Sequence, residues 1–223
     1  MNKRTAGEAV SKKSTRGRSA PAREPTLRVS AEQWNAWLAE HHAAATGALV
    51  MITKKTGGPP ALSYREALDV ALSWGWIDAQ KRGHDDRAWV QRFTPRRARS
   101  AWSKINRAKA EALIRAGKMQ PAGVAEVERA RQDGRWEAAY DSPRTSRLPD
   151  DLARALAASK TASAFFDQLD AANRYAVLYR VQTAKKPETR AARIAKFVAM
   201  LARGEALHPV RKRRAAATRR RPG

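Results

Sequence analysis

Two helix-starting motifs of the same kind place the strongest constraint on what this chain can fold into. Ser30 is followed three residues later by Gln33, and Ser63 is followed by Glu66. In such a capping box the two side chains satisfy two backbone N–H groups of the first helical turn. One short apolar run with β-branched residues, 48–53, lies between the two predicted helices and is typical of a buried strand. The chain therefore combines helices with a sheet.

The segment after the second helix has the pattern of a β-hairpin. Residues 74–78 form an extended, mostly apolar stretch, and residues 82–86 contain the Gly and Asp residues that are typical of a turn. Trp89, Gln91 and Phe93 then resume the alternation of a strand. We predict two antiparallel strands joined by this turn.

Helices account for the remaining elements. Ser100 is a candidate N-cap for a helix that stops before Gly117, and a further helix lies between Pro121 and Gly134. Helical periodicity continues through the C-terminal part, where Pro187 occupies the favoured first position of the last helix. We predict an α+β protein, predominantly helical, with N-terminal helices and a small β-sheet or hairpin, followed by a C-terminal helical part.

Positive charge dominates the sequence. Lys and Arg number 45 against 21 Asp and Glu, a formal net charge of +24, which makes nucleic acid and phosphorylated molecules natural partners. Residues 26–203 hold 31 of the basic and 18 of the acidic residues, so this part is itself basic. The predicted organisation is a disordered basic arm at 1–25, an N-terminal α+β part at 26–140, a linker at 141–147, a C-terminal helical part at 148–203 and a disordered Arg/Lys-rich tail at 204–223.

Several classes of chemistry are excluded by what the sequence lacks. It has no Cys, which excludes disulfides, thiolate metal sites and Cys nucleophiles. It contains no Walker, G-x-G-x-x-G or G-x-S-x-G pattern, and no apolar run near the ~20 residues of a membrane span. His41 and His42 are adjacent, so their side chains diverge on a helix and do not chelate together. We predict no cofactor and no metal site.

Basic and polar residues surround the start of the helix predicted at Ser100. Arginines grip phosphate or carboxylate bidentately, and a helix N-terminus adds positive potential. Trp76 and Trp102 are candidate aromatic walls of a pocket. The predicted anion site consists of Arg92, Arg96, Arg97, Ser100, Ser103 and Asn106. In the alternative interpretation the first serine only caps, the second tryptophan packs in the core, and the arginines pair with Asp78, Asp85 or Asp86.

Two further groups of residues are candidates for other functions, one for acid–base catalysis and one for binding nucleic acid. Asp78 follows Trp76, and a carboxylate near tryptophan can have a raised pKa that suits acid–base catalysis; no catalytic residue is predicted apart from this candidate. Basic residues of the last helix and the tail could follow a phosphate backbone, or could simply be solvated. The predicted nucleic-acid-binding residues are Arg190, Arg193, Lys196, Arg211, Lys212, Arg213, Arg214, Arg219, Arg220 and Arg221.

Three stretches, in this order, resemble one protein family. They read LSYREALDVAL at 62–72 with WGWID at 74–78, RFTPRR at 92–97 with SAWSKIN at 100–106 and GKMQPAG at 117–123, and AKKPETR at 184–190 with RI at 193–194. They are similar to the YdeI/OmpD-associated, or bacteriocin-protection, family over residues 28–203. The resemblance implies a link to envelope stress and antimicrobial-peptide resistance, and it supplies no catalytic residues. Descriptions of that family imply a periplasmic location, but residues 1–25 lack the apolar run of a signal peptide, so we predict a cytoplasmic one.

These observations lead to three functional hypotheses. The first is a non-enzymatic protein that binds polyanions, in which the basic arms attract nucleic acid and residues 92–106 hold one phosphate or carboxylate group. The second is a small-molecule enzyme or sensor that uses Asp78, Arg96 and Asn106 in a pocket walled by the two tryptophans. The third is a stress-related adaptor that contacts an envelope-stress protein through residues 148–203.

Overall fold

The computed structural model describes residues 24–54 and 62–209. Most of the two predicted arms, residues 1–23 and 210–223, lies outside the described residues. The described ranges contain four strands and eight helices. In chain order these are β1 (Thr26–Leu27), α1 (Ala31–His41), β2 (Ala48–Thr53), α2 (Tyr64–Ser73), β3 (Trp76–Gly83), β4 (Ala88–Pro95), α3 (Lys104–Arg115), α4 (Pro121–Gln132), α5 (Asp150–Ala157), α6 (Lys160–Gln168), α7 (Ala171–Gln182) and α8 (Pro187–Ala202).

The four strands form one mixed sheet in the order β1-β2-β4-β3. Strands β3 and β4 are the predicted hairpin, β4 pairs antiparallel with β2, and β1 runs parallel to β2. Alternate residues of β2, namely Ala48, Val50 and Ile52, are buried in one hydrophobic cluster with Trp34 and Leu38 of α1. The buried strand predicted at 48–53 is confirmed.

The prediction that the N-terminal part begins with helices is wrong. Its first element is β1, which pairs with Leu49 and Val50 of the sheet, and the Leu49 N–H donates to the Pro25 carbonyl oxygen at 2.8 Å. A strand of two residues is too short to show periodicity. Its extended conformation is set by the open edge of β2, which comes later in the chain. The α+β class is retained, with a four-stranded mixed sheet.

Both predicted capping boxes are present. The Ser30 hydroxyl accepts a hydrogen bond from the Gln33 N–H at 3.3 Å, and the Gln33 side chain accepts one from the Ser30 N–H at 2.9 Å. Ser63 and Glu66 make the same pair of contacts at the start of α2. The two serines therefore fix where α1 and α2 begin, and with them the helices that cover the sheet.

Hydrophobic side chains form two separate clusters. The first joins the sheet to α1–α4 and ends with Ala139, and the second begins with Leu152 and is formed by α5–α8. Polar contacts link the two around Asp141, whose carboxylate lies 2.8 Å from Lys104 Nζ and accepts a hydrogen bond from Gln182 Nε2 at 2.7 Å. The predicted domain boundaries stay a prediction. Within the described ranges, every helix falls short of the length or the hydropathy that a membrane span requires.

Candidate anion site

The segment between β4 and α3 does not start a helix at the predicted serine. Helix α3 begins one residue after Ser103, whose hydroxyl accepts a hydrogen bond from the Asn106 N–H at 3.1 Å. Ser100 instead closes a turn, and its hydroxyl accepts from the Arg97 N–H at 2.9 Å. The predicted N-cap at Ser100 is therefore wrong. Ser103 forms a bridge with Tyr140. This pairing keeps the residues between Ser100 and Ser103 extended, so the helix begins only after Ser103.

The three arginines of the predicted site have three different environments. Arg92 is neutralised by Glu24, which accepts hydrogen bonds from two guanidinium nitrogens, one of them Nε at 2.7 Å; this pairing lowers the pKa of Glu24. Arg97 is exposed, and Arg96 is buried, with 5% of its surface exposed. The structure does not bring these three guanidinium groups together at one site.

Arg96 lies flat on an aromatic ring and is only partly hydrogen-bonded. Its guanidinium carbon is 3.5 Å from the centroid of the Trp102 ring, a cation–π contact, and its Nη1 donates to the Ala101 carbonyl oxygen at 3.2 Å. Its Nε and Nη2 have no partner among the described residues. A buried cation with two unsatisfied donors is costly, and it calls for an acceptor.

Burial also shifts the titration of this arginine. Loss of water lowers the pKa of Arg96 to about 10. The positive charge of Arg135 lowers this pKa as well, whereas Tyr140 and Asp78 raise it. The group remains protonated at pH 7, and no carboxylate among the described residues lies within the 4.0 Å of an ion pair. The side chain therefore keeps its positive charge without a direct counter-ion.

The unpartnered atoms of Arg96 make up one edge of its guanidinium group. In this chain the same edge, Nε with Nη2, holds both oxygens of a carboxylate in three other places, which are Arg92 with Glu24, Arg190 with Asp151 and Arg203 with Glu205. Arg96 presents this edge to no acceptor among the described residues. The unpaired edge of Arg96 thus has the geometry that elsewhere in the molecule binds both oxygens of a carboxylate.

A second buried arginine, which the sequence analysis missed, lies beside the first. Arg135 is 4% exposed, and its Nη1 is 2.9 Å from Glu126 Oε1, while its Nε bonds to Asp133. Nη1 also donates to the Ser100 carbonyl oxygen at 3.0 Å, next to the carbonyl that Arg96 holds. The sequence feature that could have indicated this arginine is the Arg-Trp pair that directly follows Gly134, the glycine at the end of the predicted helix.

Four buried donor nitrogens around residues 100–102 have no acceptor among the described residues. They are Nε and Nη2 of Arg96, Nε1 of Trp102 and Nη2 of Arg135, and we refer to these three side chains as the donor cluster. Guanidinium and indole nitrogens only donate hydrogen bonds. The cluster is therefore suited to oxygen acceptors, above all to negatively charged ones.

An open groove of about 530 Å³ lies next to the donor cluster. Arg99, Ala101 and Arg135 line one side, and residues 182–185, which comprise the last residue of α7 and the three that follow it, line the other, with Lys185 among them. The groove therefore has one wall from the part that contains the first hydrophobic cluster and one from the part that contains the second. Of the donor cluster, Arg135 borders it, and Arg96 lies behind Ala101.

The two predicted wall tryptophans belong to separate aromatic groups. Trp76 packs edge-on against Trp34 and Trp37, with centroids 6.2 and 5.9 Å apart. Trp102 packs against Trp136 at 4.9 Å. Each of the two is 1% exposed, and neither lines the groove. Both are core residues, and only Trp102 contacts a predicted site arginine.

The carboxylate of Asp78, the candidate catalytic residue, is hydrogen-bonded to a tyrosine. Asp78 accepts a hydrogen bond from the Tyr64 hydroxyl at 2.9 Å. Burial, together with the charge and the hydrogen bond of Asp78, raises the pKa of Tyr64. Among residues 24–54 and 62–209, no three His, Asp or Glu side chains form a group that could hold a metal ion.

The predicted nucleic-acid-binding residues on α8 differ in whether their side chains are already hydrogen-bonded within the protein. Arg190 is paired with both oxygens of Asp151, at 2.6 and 2.9 Å. Arg193 donates to the Arg180 carbonyl oxygen, and Lys196 is exposed. The seven tail residues of this prediction, 211–214 and 219–221, lie outside the described residues.

Two family matches divide the chain between the same two parts as the hydrophobic clusters. Residues 27–126 match a domain of unknown function, DUF8412. Residues 145–204 match the family described as bacteriocin-protection, YdeI or OmpD-associated. No curated protein and no solved structure shows a significant match to the chain.

The fold and these matches define a two-part protein, in which a sheet covered by helices precedes a bundle of four helices. Residues 145–204 of the second part match the model of the YdeI/OmpD-associated family, the family that the sequence motifs resemble. The match is narrower than the predicted range of 28–203, and the stretches at 62–78 and 92–123 lie within the residues that match DUF8412.

Proposed function

We propose that this protein binds a molecule that carries a phosphate or carboxylate group, and that it catalyses no covalent reaction on it. The observation that supports this proposal is the donor cluster, with its four buried donor nitrogens lacking acceptors among the described residues. Each buried donor without a partner costs about 1–3 kcal/mol. An oxyanion bound at a guanidinium group of this cluster would accept hydrogen bonds from its free donors and neutralise its charge.

The chemistry of the donor cluster favours binding over catalysis. Guanidinium and indole groups are neither nucleophiles nor general bases at neutral pH. The alternative of an enzyme or sensor built on Asp78, Arg96 and Asn106 has less support, because the Asp78 carboxylate already accepts a hydrogen bond from the Tyr64 hydroxyl.

The first prediction is that Arg96→Met stabilises the protein without ligand by about 1–2 kcal/mol, which raises Tm by about 4 °C. The pKa of Arg96 is about 10 in the folded state and higher in the unfolded chain, so its charge destabilises the fold below pH 10 and this effect is relieved as the pH rises further. Methionine keeps an apolar contact with Trp102. Thermal unfolding at pH 7 measures the change.

The same variant tests binding. Inorganic phosphate, pyrophosphate and acetate should each be titrated while Tm is followed, and we expect at least one of them to raise the Tm of the wild-type protein. Arg96→Met should lose this response, and Arg97→Met, which removes a neighbouring exposed arginine, should keep it. An equal response in all three proteins, or no response in any, contradicts the proposal.

Nucleic acid is a second candidate ligand, favoured by the net charge of +24. Seven tail contacts with phosphates would weaken binding by ~10³-fold between ~50 and ~200 mM salt, because counterions are released. The measurement is a titration of labelled DNA and RNA at several salt concentrations. The comparison variant replaces by Gln the seven residues Arg211, Lys212, Arg213, Arg214, Arg219, Arg220 and Arg221. The absence of binding, or an affinity that does not change with salt concentration, overturns this candidate.

The remaining hypotheses rest on the family resemblance. Contact between residues 148–203 and an envelope-stress protein stays a prediction, and so does the cytoplasmic location. Affinity capture with the full chain, compared with a variant altered only on the surface of α8, addresses the first of these.

A further inference from the structure

The groove beside the donor cluster has walls from both parts of the protein. Ala98, Arg99, Ala101, Arg135 and Ala138 belong to the part that contains the sheet, and residues 182–185 belong to the YdeI/OmpD-associated domain. The far wall is held in place: Gln182 bonds to Asp141, and the Thr183 hydroxyl donates to the Tyr179 carbonyl oxygen at 2.7 Å. A molecule in this groove would contact both parts at once.

The charges of the groove are predominantly positive. Arg99, Arg135 and Lys185 line it together with one carboxylate, Asp133. Asp133 is bonded to Arg135, whose hydrogen bond lowers the pKa of Asp133, and Lys185 lowers it further. Arg135 is 4% exposed and keeps Nη2 without an acceptor among the described residues. An incoming anion would therefore meet two exposed cations and the free Nη2 of Arg135, whose other nitrogens are held by Asp133 and Glu126.

The apolar surface of the groove limits the kind of anion. Besides the charged side chains, four alanine methyl groups line it, those of Ala98, Ala101, Ala138 and Ala184. Methyl groups gain nothing from an inorganic ion, but they contribute to binding when an apolar body covers them. At about 530 Å³ the groove has the size of a small-molecule site.

We propose that this groove binds a small organic anion, with its phosphate or carboxylate group between Arg135 and Lys185 and its apolar body against the alanines. The ligand thereby joins the sheet-containing part to the YdeI/OmpD-associated domain. This inference rests on the oxyanion binding proposed above, of whose donor cluster it uses Arg135, the member that borders the groove, and it adds the class of ligand and its position between the two parts.

Calorimetric titration tests the class of ligand with two pairs of probes. Phenyl phosphate is compared with inorganic phosphate, and benzoate with acetate, on the full-length protein. In the pair whose head group is accepted, we expect the aromatic probe to bind about tenfold more tightly, because its ring covers the alanines. Whichever pair binds identifies the head group as phosphate or carboxylate.

Three variants test the position. Lys185→Gln should weaken binding of the aromatic probe about fivefold. Lys186→Gln, which changes a neighbouring lysine that does not line the groove, should leave this affinity unchanged. Ala138→Leu adds bulk at an exposed position of the groove. We expect it to weaken the aromatic probe at least about tenfold and to leave the Tm of the ligand-free protein unchanged.

Hydrogen exchange tests whether the ligand joins the two parts. With the aromatic probe bound, amide exchange should slow both in residues 133–140 and in residues 182–186. Protection of only one of these segments, or equal binding by wild type, Lys185→Gln and Ala138→Leu, overturns the groove as the site while leaving oxyanion binding at Arg96 intact. Failure of all four probes to bind overturns both proposals.

Discussion

Replacement of Gly123 by alanine is expected to destabilise the protein by about 4 kcal/mol or to prevent its folding. A Cβ atom at this position would lie 2.1 Å from the carbonyl oxygen of Ser73 and 2.8 Å from its carbonyl carbon. Both are backbone atoms, so no side-chain rotation relieves the overlap. The same carbonyl accepts the Gln120 N–H at 3.0 Å, so a shift of α4 away from α2 would also weaken that bond.

Gly83→Ala is the matched control for this prediction. Nothing lies within 4 Å of a Cβ atom built at Gly83, and its φ is not positive. We expect its stability to stay within about 0.5 kcal/mol of wild type. Denaturant unfolding of the three proteins gives the comparison, and a Gly123→Ala protein as stable as Gly83→Ala would show that α4 does not pack on α2 at this point.

The second large effect is expected for Glu126→Ala, which should lower the free energy of unfolding by about 3 kcal/mol. Glu126 is 4% exposed and accepts a hydrogen bond from Arg135, which is buried to the same extent, and it also pairs with Arg129. Removal of this carboxylate leaves a buried guanidinium with Asp133, a 40% exposed residue, as its remaining carboxylate partner. The loss comes from the poorer compensation of the buried charge of Arg135, which keeps only a contact with the more exposed Asp133 among the described carboxylates, more than from the bond itself.

Glu128 provides the control on the same helix. It pairs with Arg131 at 2.7 Å, but both side chains are about half exposed, and such surface pairs contribute about 0–1 kcal/mol. Glu128→Ala should therefore change stability by less than about 0.5 kcal/mol. Chemical unfolding at pH 7 compares the two variants, and equal losses would mean that the Glu126–Arg135 pair is no more than a surface contact.

The donor cluster shows why the candidate site was only partly predictable. The sequence pattern selected Arg96 and Trp102 together with six residues that the structure places elsewhere or uses at turns and caps. It missed Arg135, because this residue is 39 positions away from Arg96 in the chain. A pattern within one segment cannot show that two arginines hold neighbouring carbonyls, nor that one of them lacks a counter-ion.

Local chemistry decided much of the fold. Ser30 and Ser63 start their helices, Pro187 starts the last one, and Gly117 and Gly134 follow the ends of α3 and α4 with positive φ. Each of these features depends on hydrogen bonds or dihedral angles within a few residues. The sequence by itself also determined the basic charge and the absence of thiol chemistry, since both depend on composition alone.

Only the tertiary structure decided the rest. Strand β1 exists because β2 offers it an edge, and α3 is capped by Ser103 and not by Ser100 because Tyr140 bridges to that position. Both serines satisfy the local rule for a cap, so distant residues had to choose between them. The buried charge of Arg96 has the same origin, because burial and the loss of a counter-ion depend on what packs around a side chain and not on its neighbours in sequence.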